Sequence, residues 1–421
     1  MNMRRIHRRP SSGFSLIELL VSMVIALVVT LAITAVLTRS ESSKRSTTSV
    51  NDVNQTGAYL AYAMDRSIRS AGSGFAQNWP DAVGCVIDAS RGGASVLPLP
   101  AALPTPFANV PLRVRLAPVL IGKALADTGG QVRGDVLTVM SGTSGGSDMP
   151  QTVLPGSATA TTARLTNTLG YSNSDLVMFA DSQIDAGRPG CMLQQVVAPA
   201  AGVAGDQLDF TGGSYSRSNG SVFSLTGFGG KAIAIQVGSA PANPPQMLLY
   251  GVGDDSTLFT YDLLRMAGNA TAPTPIADGV VEMRALYGID GTLPVAIPMD
   301  TTATTPVPNG RISAWVDPGD PTTGYTQAQL TTGTVTSQRL LRRIVAIRVG
   351  LILRTSVQER GYERYYGSAP GTLPTTTVTL FGDLPTALRQ TRTIVGTDNL
   401  YRYRTFEFTI PLRNALYAPY P

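Results

Sequence analysis

The sequence predicts an α+β protein: a long N-terminal helix, first transmembrane and then amphipathic, packed on a large β-rich globular domain with many loops. Two observations carry this. Residues 14–38 are apolar or weakly polar with one charge, Glu18, and the polar stretch after them returns to a helical spacing of apolar residues. Beyond residue 72, short alternating segments are separated by turns in a chain with 43 glycines, 29 prolines and only 14% charged residues.

The apolar run reads FSLIELLVSMVIALVVTLAITAVLT. As a helix it is roughly 37 Å long, enough to cross a bilayer with tilt. Arg4, Arg5, Arg8 and Arg9 precede it, so its C-terminal end is expected to face away from the cytoplasm. A secretory signal has a shorter apolar region and a small-residue cleavage site after it, and no such site follows here. A plain anchor explains the apolar run but not Glu18, because a carboxylate in hydrocarbon costs roughly 2.5–3.5 kcal/mol without a partner.

Past Thr38 the helix is expected to continue. Residues 40–56 are polar, and Val50, Val53, Gly57, Leu60, Met64 and Ser67/Ile68 then recur at three- and four-residue spacing. Arg66 and Arg69 suit the last turn, and Gly72-Ser73-Gly74 ends it. The whole helix is about 57 residues, roughly 85 Å, with the Ser/Thr-rich part as the place for a kink. The chain thus divides into a leader (1–13), an apolar helical half (14–38), an amphipathic half (39–71) and a β-rich domain (72–421).

Within that domain, residues 134–140, 175–180, 192–197, 232–237 and 247–252 read as strands. Val281, Met283, Ala285, Tyr287 and Ile289 alternate along one face. Ile347, Val349, Leu351 and Leu353 do the same, with Arg348 and Arg354 opposite. In YRYRTFEFTI, Tyr401 and Tyr403 lie in one phase and Phe406, Phe408 and Ile410 in the other, which predicts a bulge around Arg404-Thr405. The Pro/Ala-rich stretch 96–111, the Ser/Thr/Gly-rich stretch 141–170 and the Thr/Pro/Gly-rich stretch 291–335 read as surface loops. One domain with insertions, or two sheets, accommodates these segments.

Composition narrows the function. The chain has 33 basic and 28 acidic residues, and four of the basic ones precede Gly13. The remainder is nearly neutral and has no basic stripe interleaved with aromatics, so nucleic acid is not an expected partner. The one histidine, His7, also precedes Gly13. A chain cut there has no imidazole for acid–base catalysis, a Ser-His-Asp triad or a usual zinc site, and no metal or cofactor is expected. Gly142-Thr143-Ser144-Gly145-Gly146 matches G-x-S-x-G but lacks a following helix and a base. Asp254-Asp255 and Asp317/Asp320 lack the ligand series of a calcium loop. Tyr362, Tyr365 and Tyr366 with Arg360 and Arg364 form an aromatic–basic patch, either a protein contact or a hairpin surface. Cys85 and Cys191, 106 positions apart, are a candidate disulfide for an oxidising compartment.

Gly13-Phe14-Ser15-Leu16-Ile17-Glu18 resembles the processing site of type IV prepilins. The resemblance implies that a membrane prepilin peptidase cuts after Gly13 and methylates the new N-terminal residue, Phe14. It further implies that Glu18 neutralises the N-terminal amine of a neighbouring subunit. Residues 276–290 (IADGVVEMRALYGID), 344–356 (IVAIRVGLILRTS) and 401–414 (YRYRTFEFTIPLRN) resemble blocks of the PilW family of minor pilins. That family implies a non-enzymatic assembly protein of the inner membrane, with its C-terminal domain periplasmic and its destination the pilus filament or tip. Its implied partners are other minor pilins, the major pilin, the assembly platform, membrane lipid and, at a tip, an adhesin of the PilY family. Two other readings share the architecture: a minor pseudopilin of type II secretion, and a filament-displayed adhesin or binding module.

Overall fold

The computed structural model describes residues 15–416 apart from 129–130, 144–148, 182–189, 200–205, 217–224, 229–230, 267–270, 292–309, 359–374, 396–397 and 399. It opens with one unbroken helix, α1 (Leu16–Arg69), of 54 residues. The Ser/Thr-rich part does not kink it. Its hydroxyls bond back to the preceding turn, as Thr47 Oγ1 does to Ser43 O at 3.0 Å, so the helical ladder is kept.

Strands then follow in chain order: β1 (Ile87–Arg91), β2 (Ala94–Leu97), β3 (Val119–Thr128), β4 (Gln131–Ser141), β5 (Gln151–Thr152), β6 (Thr162–Arg164), β7 (Asp175–Asp181), β8 (Cys191–Gln195), β9 (Ala198–Pro199), β10 (Gln207–Asp209), β11 (Ala232–Ser239), β12 (Gln246–Val252), β13 (Thr257–Asp262), β14 (Thr274–Asp278), β15 (Val280–Ile289), β16 (Ala314–Val316), β17 (Ile344–Arg354), β18 (Thr376–Leu380), β19 (Gln390–Ile394) and β20 (Tyr403–Pro411). A short helix, α2 (Trp79–Ala82), follows α1, and α3 (Gln327–Leu330) and α4 (Val335–Arg342) precede β17.

Among the described residues the largest sheet is nine-stranded, in the order β14-β13-β12-β4-β15-β17-β20, with β3 beside β4 and β16 beside β15. Its apolar face is the main core, in which Leu137, Leu249, Met283, Tyr287, Ile347, Val349 and Leu351 meet Leu60, Met64 and Ile68 of α1. β4 reaches β15 through a single parallel bridge, Gly134 to Met283. Gly134 has φ +133, and a Cβ there would fall 2.1 Å from Met283 O, so only glycine lets the two backbones approach this closely.

β4 and β12 are hydrogen-bonded neighbours, with Ser141 opposite Gln246. Between them the chain leaves the sheet and builds most of a second one, in the order β2-β1-β8-β7-β11-β5. One face of this second sheet, including Leu176, Met178, Leu193 and Ile235, joins the main core. Its other face holds a separate cluster around Val177, Phe179 and Ala234, closed by the three strands β6-β10-β9. Phe179 and Phe210 meet edge to face at 5.5 Å. β1 pairs parallel to β8, and Cys85 is disulfide-bonded to Cys191 beside that pairing, with Cα atoms 5.6 Å apart.

Several expectations need correction. The stretch 96–111 is irregular beyond β2 but is not a surface loop: Leu97, Leu99, Leu103, Phe107 and Val110 are buried in the main core. Described parts of the other two stretches are buried as well. Val153, Ala163 and Leu165 line the second cluster, while Val316, Tyr325 and Leu330 enter the main core. Prolines and small polar residues broke the alternation, but each segment still carries apolar anchors. β20 has no bulge: its register against β17 runs unbroken from Arg354↔Tyr403 to Ala346↔Pro411. Both phases carry large side chains because both faces are covered. Phe406 and Phe408 pack on the main core, and Tyr403 joins a third cluster beneath the β18–β19 hairpin. The irregularity lies instead in β15, between Val280 and Glu282, and it turns Val281 to the hairpin side while Met283, Ala285, Tyr287 and Ile289 face the core. β8 ends at Gln195, two residues short of the expected strand.

Candidate assembly interface

α1 has two halves with opposite surroundings. From Leu16 to Leu37 its apolar side chains are uncovered; Leu16, Ile17, Met23, Leu27 and Leu31 are each more than 60% exposed. Among the described residues it is the one helix long and apolar enough to cross a membrane. Its few hydroxyls are satisfied within the helix: Ser22 donates to Leu19 O, Thr30 to Ala26 O and Thr38 to Thr34 O. Such internal bonding removes the cost of placing them in hydrocarbon. At the start of the helix, Glu18 Oε2 accepts the backbone N–H of Ser15 at 3.1 Å. The carboxylate is therefore held one residue from position 14. Gly13 and Phe14 lie outside the described residues.

The other half is fixed to the domain. Val53, Gly57, Leu60, Met64 and Ile68 are buried and form the expected stripe, while Val50 is half-buried. Burying Leu60, Met64 and Ile68 stabilises the docking by about 1.5–3 kcal/mol each. Gly57 marks the closest approach: a Cβ built there would sit 2.4 Å from Phe406 Cζ, so the aromatic ring of β20 lies directly on the helix backbone. Polar contacts secure the flanks. Ser356 N donates to Ser49 Oγ at 3.1 Å, and Tyr250 OH donates to Ser67 Oγ at 3.0 Å. Asn414 Nδ2 donates to Ser70 O and Ala71 O, both at 3.1 Å, and so caps the end of the helix. Gly72 N then bonds Met140 O, and Gly142 N bonds Ser73 O, tying the helix exit to the end of β4. The outcome is a rod rooted in a sheet, with its apolar half projecting free.

Among the described residues, the other sequence candidates do not assemble into a site. Gly142 and Thr143 are held by backbone bonds to Ser73 and Val237, and residues 144–146 lie outside the described residues. Asp317 pairs with Lys123 at 3.1 Å and accepts from Gln390, and Asp320 closes a local turn on Thr322. Asp254 and Asp255 occupy the turn between β12 and β13. The Tyr362, Tyr365, Tyr366, Arg360 and Arg364 patch lies outside the described residues.

A buried ion network was not anticipated. Asp135 on β4 is fully buried and accepts from Ala124 N at 2.9 Å, Ala285 N at 3.0 Å and Arg284 Nη1 at 3.2 Å. Arg284 also pairs with Glu282, which pairs with Arg392 of β19 at 2.8 Å. Burial pushes the Asp135 carboxyl upward, while Lys123 and Arg284 pull it down. One signal was visible: an aspartate inside GDVLTVM, an otherwise apolar strand, requires a partner when both faces are covered. Nearby, Arg348 pairs with Asp383 at 2.6 Å and Glu407 at 2.7 Å, and lies over the rings of Trp315 and Phe381, clasping the β18–β19 hairpin to the sheet.

Two family models match the chain. Residues 8–34 match the prokaryotic N-terminal methylation motif, and residues 249–414 match Type IV Pilus-assembly protein W (PilW). No curated protein and no solved structure gives a significant match. The first region spans most of the free half of α1 and the residues just before it. The second contains β13–β20 and supplies Phe406, Phe408 and Asn414, the residues to which the other half of α1 is fixed. The chain thus carries a prepilin-type methylation segment at its N-terminus, a helix in α1 long and apolar enough to cross a membrane, and a PilW region in its C-terminal part.

Proposed function

We propose that the protein is a minor pilin that takes part in initiating and assembling type IV pili, within a priming or tip complex, after cleavage between Gly13 and Phe14. The observation that carries this reading is the uncovered apolar half of α1, headed by Glu18 and continuous with a half rooted in the domain. The apolar half is stored in the inner membrane as a single span, with the domain periplasmic. On assembly it exchanges lipid for the helices of other minor pilins and the major pilin. Glu18 then meets the methylated Phe14 amine of a neighbour. Opposite charges attract strongly in a low dielectric, so a subunit without a neighbour is driven to find one. The prepilin peptidase and the assembly platform are the other implied partners. The Cys85–Cys191 bond suits the oxidising periplasm. The role is structural, and no catalytic step is invoked.

Two experiments test this. Gly13→Ala is expected to leave an uncut, unmethylated precursor in the membrane; normal maturation on a gel refutes the processing assignment. Deleting the gene is expected to abolish surface pili and twitching while exoprotein secretion continues. Loss of secretion with pili intact would assign the chain to the type II pseudopilins instead.

A further inference from the structure

Where α1 first meets the domain, helix and sheet leave a cavity of about 340 Å³. Ser49, Asp52 and Val53 form its helical wall, and Leu353, Arg354 and Tyr401 face them from the end of β17 and the approach to β20. Asp255 and Asp278 complete the rim. The cavity has an apolar wall in Val53 and Leu353, and three carboxylates against a single cation. That cation, Arg354, is already engaged: it lies 3.5 Å from Asp398 and 4.7 Å above the Tyr401 ring. Asp278 accepts a hydrogen bond from Thr257 Oγ1 at 3.0 Å, whereas no cation among the described residues pairs with Asp52 or Asp255. Both are exposed. An apolar wall beneath an acidic rim suits a long aliphatic stem that ends in a positive charge.

The height of the cavity on α1 indicates where such a stem comes from. If Glu18 meets the amine of a neighbour's residue 14, parallel helices are offset by four residues, about 6 Å. The neighbour's equivalent of position 45 then lies level with Ser49, one turn short of Asp52. Packed helices are about 8–10 Å apart, a gap that a long basic side chain spans. In this chain position 45 is Arg45, which is exposed and pairs with its own Glu41 at 3.7 Å. The helix of this chain therefore carries both an acidic cavity and, one turn before it, a basic side chain of the kind that such a cavity suits.

We propose that the cavity receives an arginine or lysine side chain from α1 of the neighbouring pilin, at the position that Arg45 holds in this chain. This interaction fixes the stagger at the membrane surface as Glu18 does inside the apolar bundle, and it rests on the pilin reading above.

A photo-crosslinking residue is placed at Val21, and separately at Thr56 on the cavity wall, in the full-length chain in piliated cells. Crosslinked peptides are identified by mass spectrometry. The Val21 probe is expected to capture the apolar half of another pilin helix, and the Thr56 probe the basic stretch just beyond it. Capture at Val21 without that peptide at Thr56, or capture of only lipid or the chain's own domain at Thr56, overturns the cavity assignment and leaves the pilin reading standing. No pilin at Val21 removes the pilin reading itself. Asp52→Asn with Asp255→Asn is expected to lower the Thr56 product roughly fivefold; an unchanged yield refutes recognition by charge.

Discussion

Replacing Gly57 tests whether α1 is held as a rod by the seam on β20. A Cβ at this position would lie 2.4–2.5 Å from three atoms of the Phe406 ring tip. A leucine adds still more volume against the same ring. Overpacking by a whole leucine side chain falls in the upper part of the usual range, about 2–3 kcal/mol. Replacing glycine within a helix returns about 1 kcal/mol in propensity, so Gly57→Leu is expected to destabilise the domain by about 1–2 kcal/mol. Phe406→Ala alone removes packing from a half-buried ring and costs about 2–3 kcal/mol. The double variant is expected to recover part of the sum, because the leucine enters the space the ring vacates, giving a coupling of about 1–2 kcal/mol. The assay is urea unfolding of the detergent-solubilised chain, followed by fluorescence. Trp79 reports on the core, since it is fully buried and donates Nε1–H to Gln338 O at 3.0 Å. Equal stability of Gly57→Leu and the parent, or strict additivity in the double variant, would refute the seam.

Three further outcomes are expected. Arg284→Met leaves Asp135 and Glu282 buried without their shared guanidinium and should cost about 3 kcal/mol in the same unfolding assay; Asp135→Asn, which keeps a side chain of the same shape, should cost less. Cys85→Ser with Cys191→Ser opens a loop of 106 residues and should lower stability by roughly 3–5 kcal/mol, read against the oxidised parent. The hydrogen bond from Arg348 holds the Asp383 carboxyl below its ordinary range. A depressed folded pKa contributes stability above the ordinary value and loses it as pH falls through the folded one. Amides of the β18–β19 hairpin should therefore exchange faster below about pH 4, and Asp383→Asn should show that faster exchange already at pH 7.

The parts of the fold that were legible in sequence are those governed by a single periodicity. The stripe through Val53, Gly57, Leu60, Met64 and Ile68 met one partner surface, so spacing alone identified it. Ile347, Val349, Leu351 and Leu353 behaved likewise because β17 presents one face to the main core. Alternation misled where a strand is covered on both sides. Tyr403 and Phe406 are packed by different layers of a regular strand, which in sequence imitates a bulge, while the true irregularity at Val281 looked like clean alternation. Irregular backbone hid the anchors of 96–111, since Phe107 and Val110 sit among prolines with no period to reveal them. The seam at Gly57 was visible as a position on the stripe but not as a contact, because Phe406 is distant in sequence. The cavity escaped notice for the same reason: its walls come from α1, two turns of the sheet and the segment before β20, and none of these carries a pattern alone.

The position of β4 has a consequence for how the protein is made. This early strand lies between β12 and β15, both of which follow it by more than 100 residues. A chain emerging N-terminus first presents β4 with only β3 beside it, leaving one hydrogen-bonding edge and one apolar face open until the C-terminal part arrives. The later strands, by contrast, pair mostly with near neighbours, β12 with β13 and β13 with β14. Synthesis order and assembly order therefore oppose each other: the sheet closes around this early strand only after its C-terminal strands have been made. A stalled or truncated chain is left with an exposed strand edge, which makes it a substrate for chaperones and proteases while the intact chain escapes them.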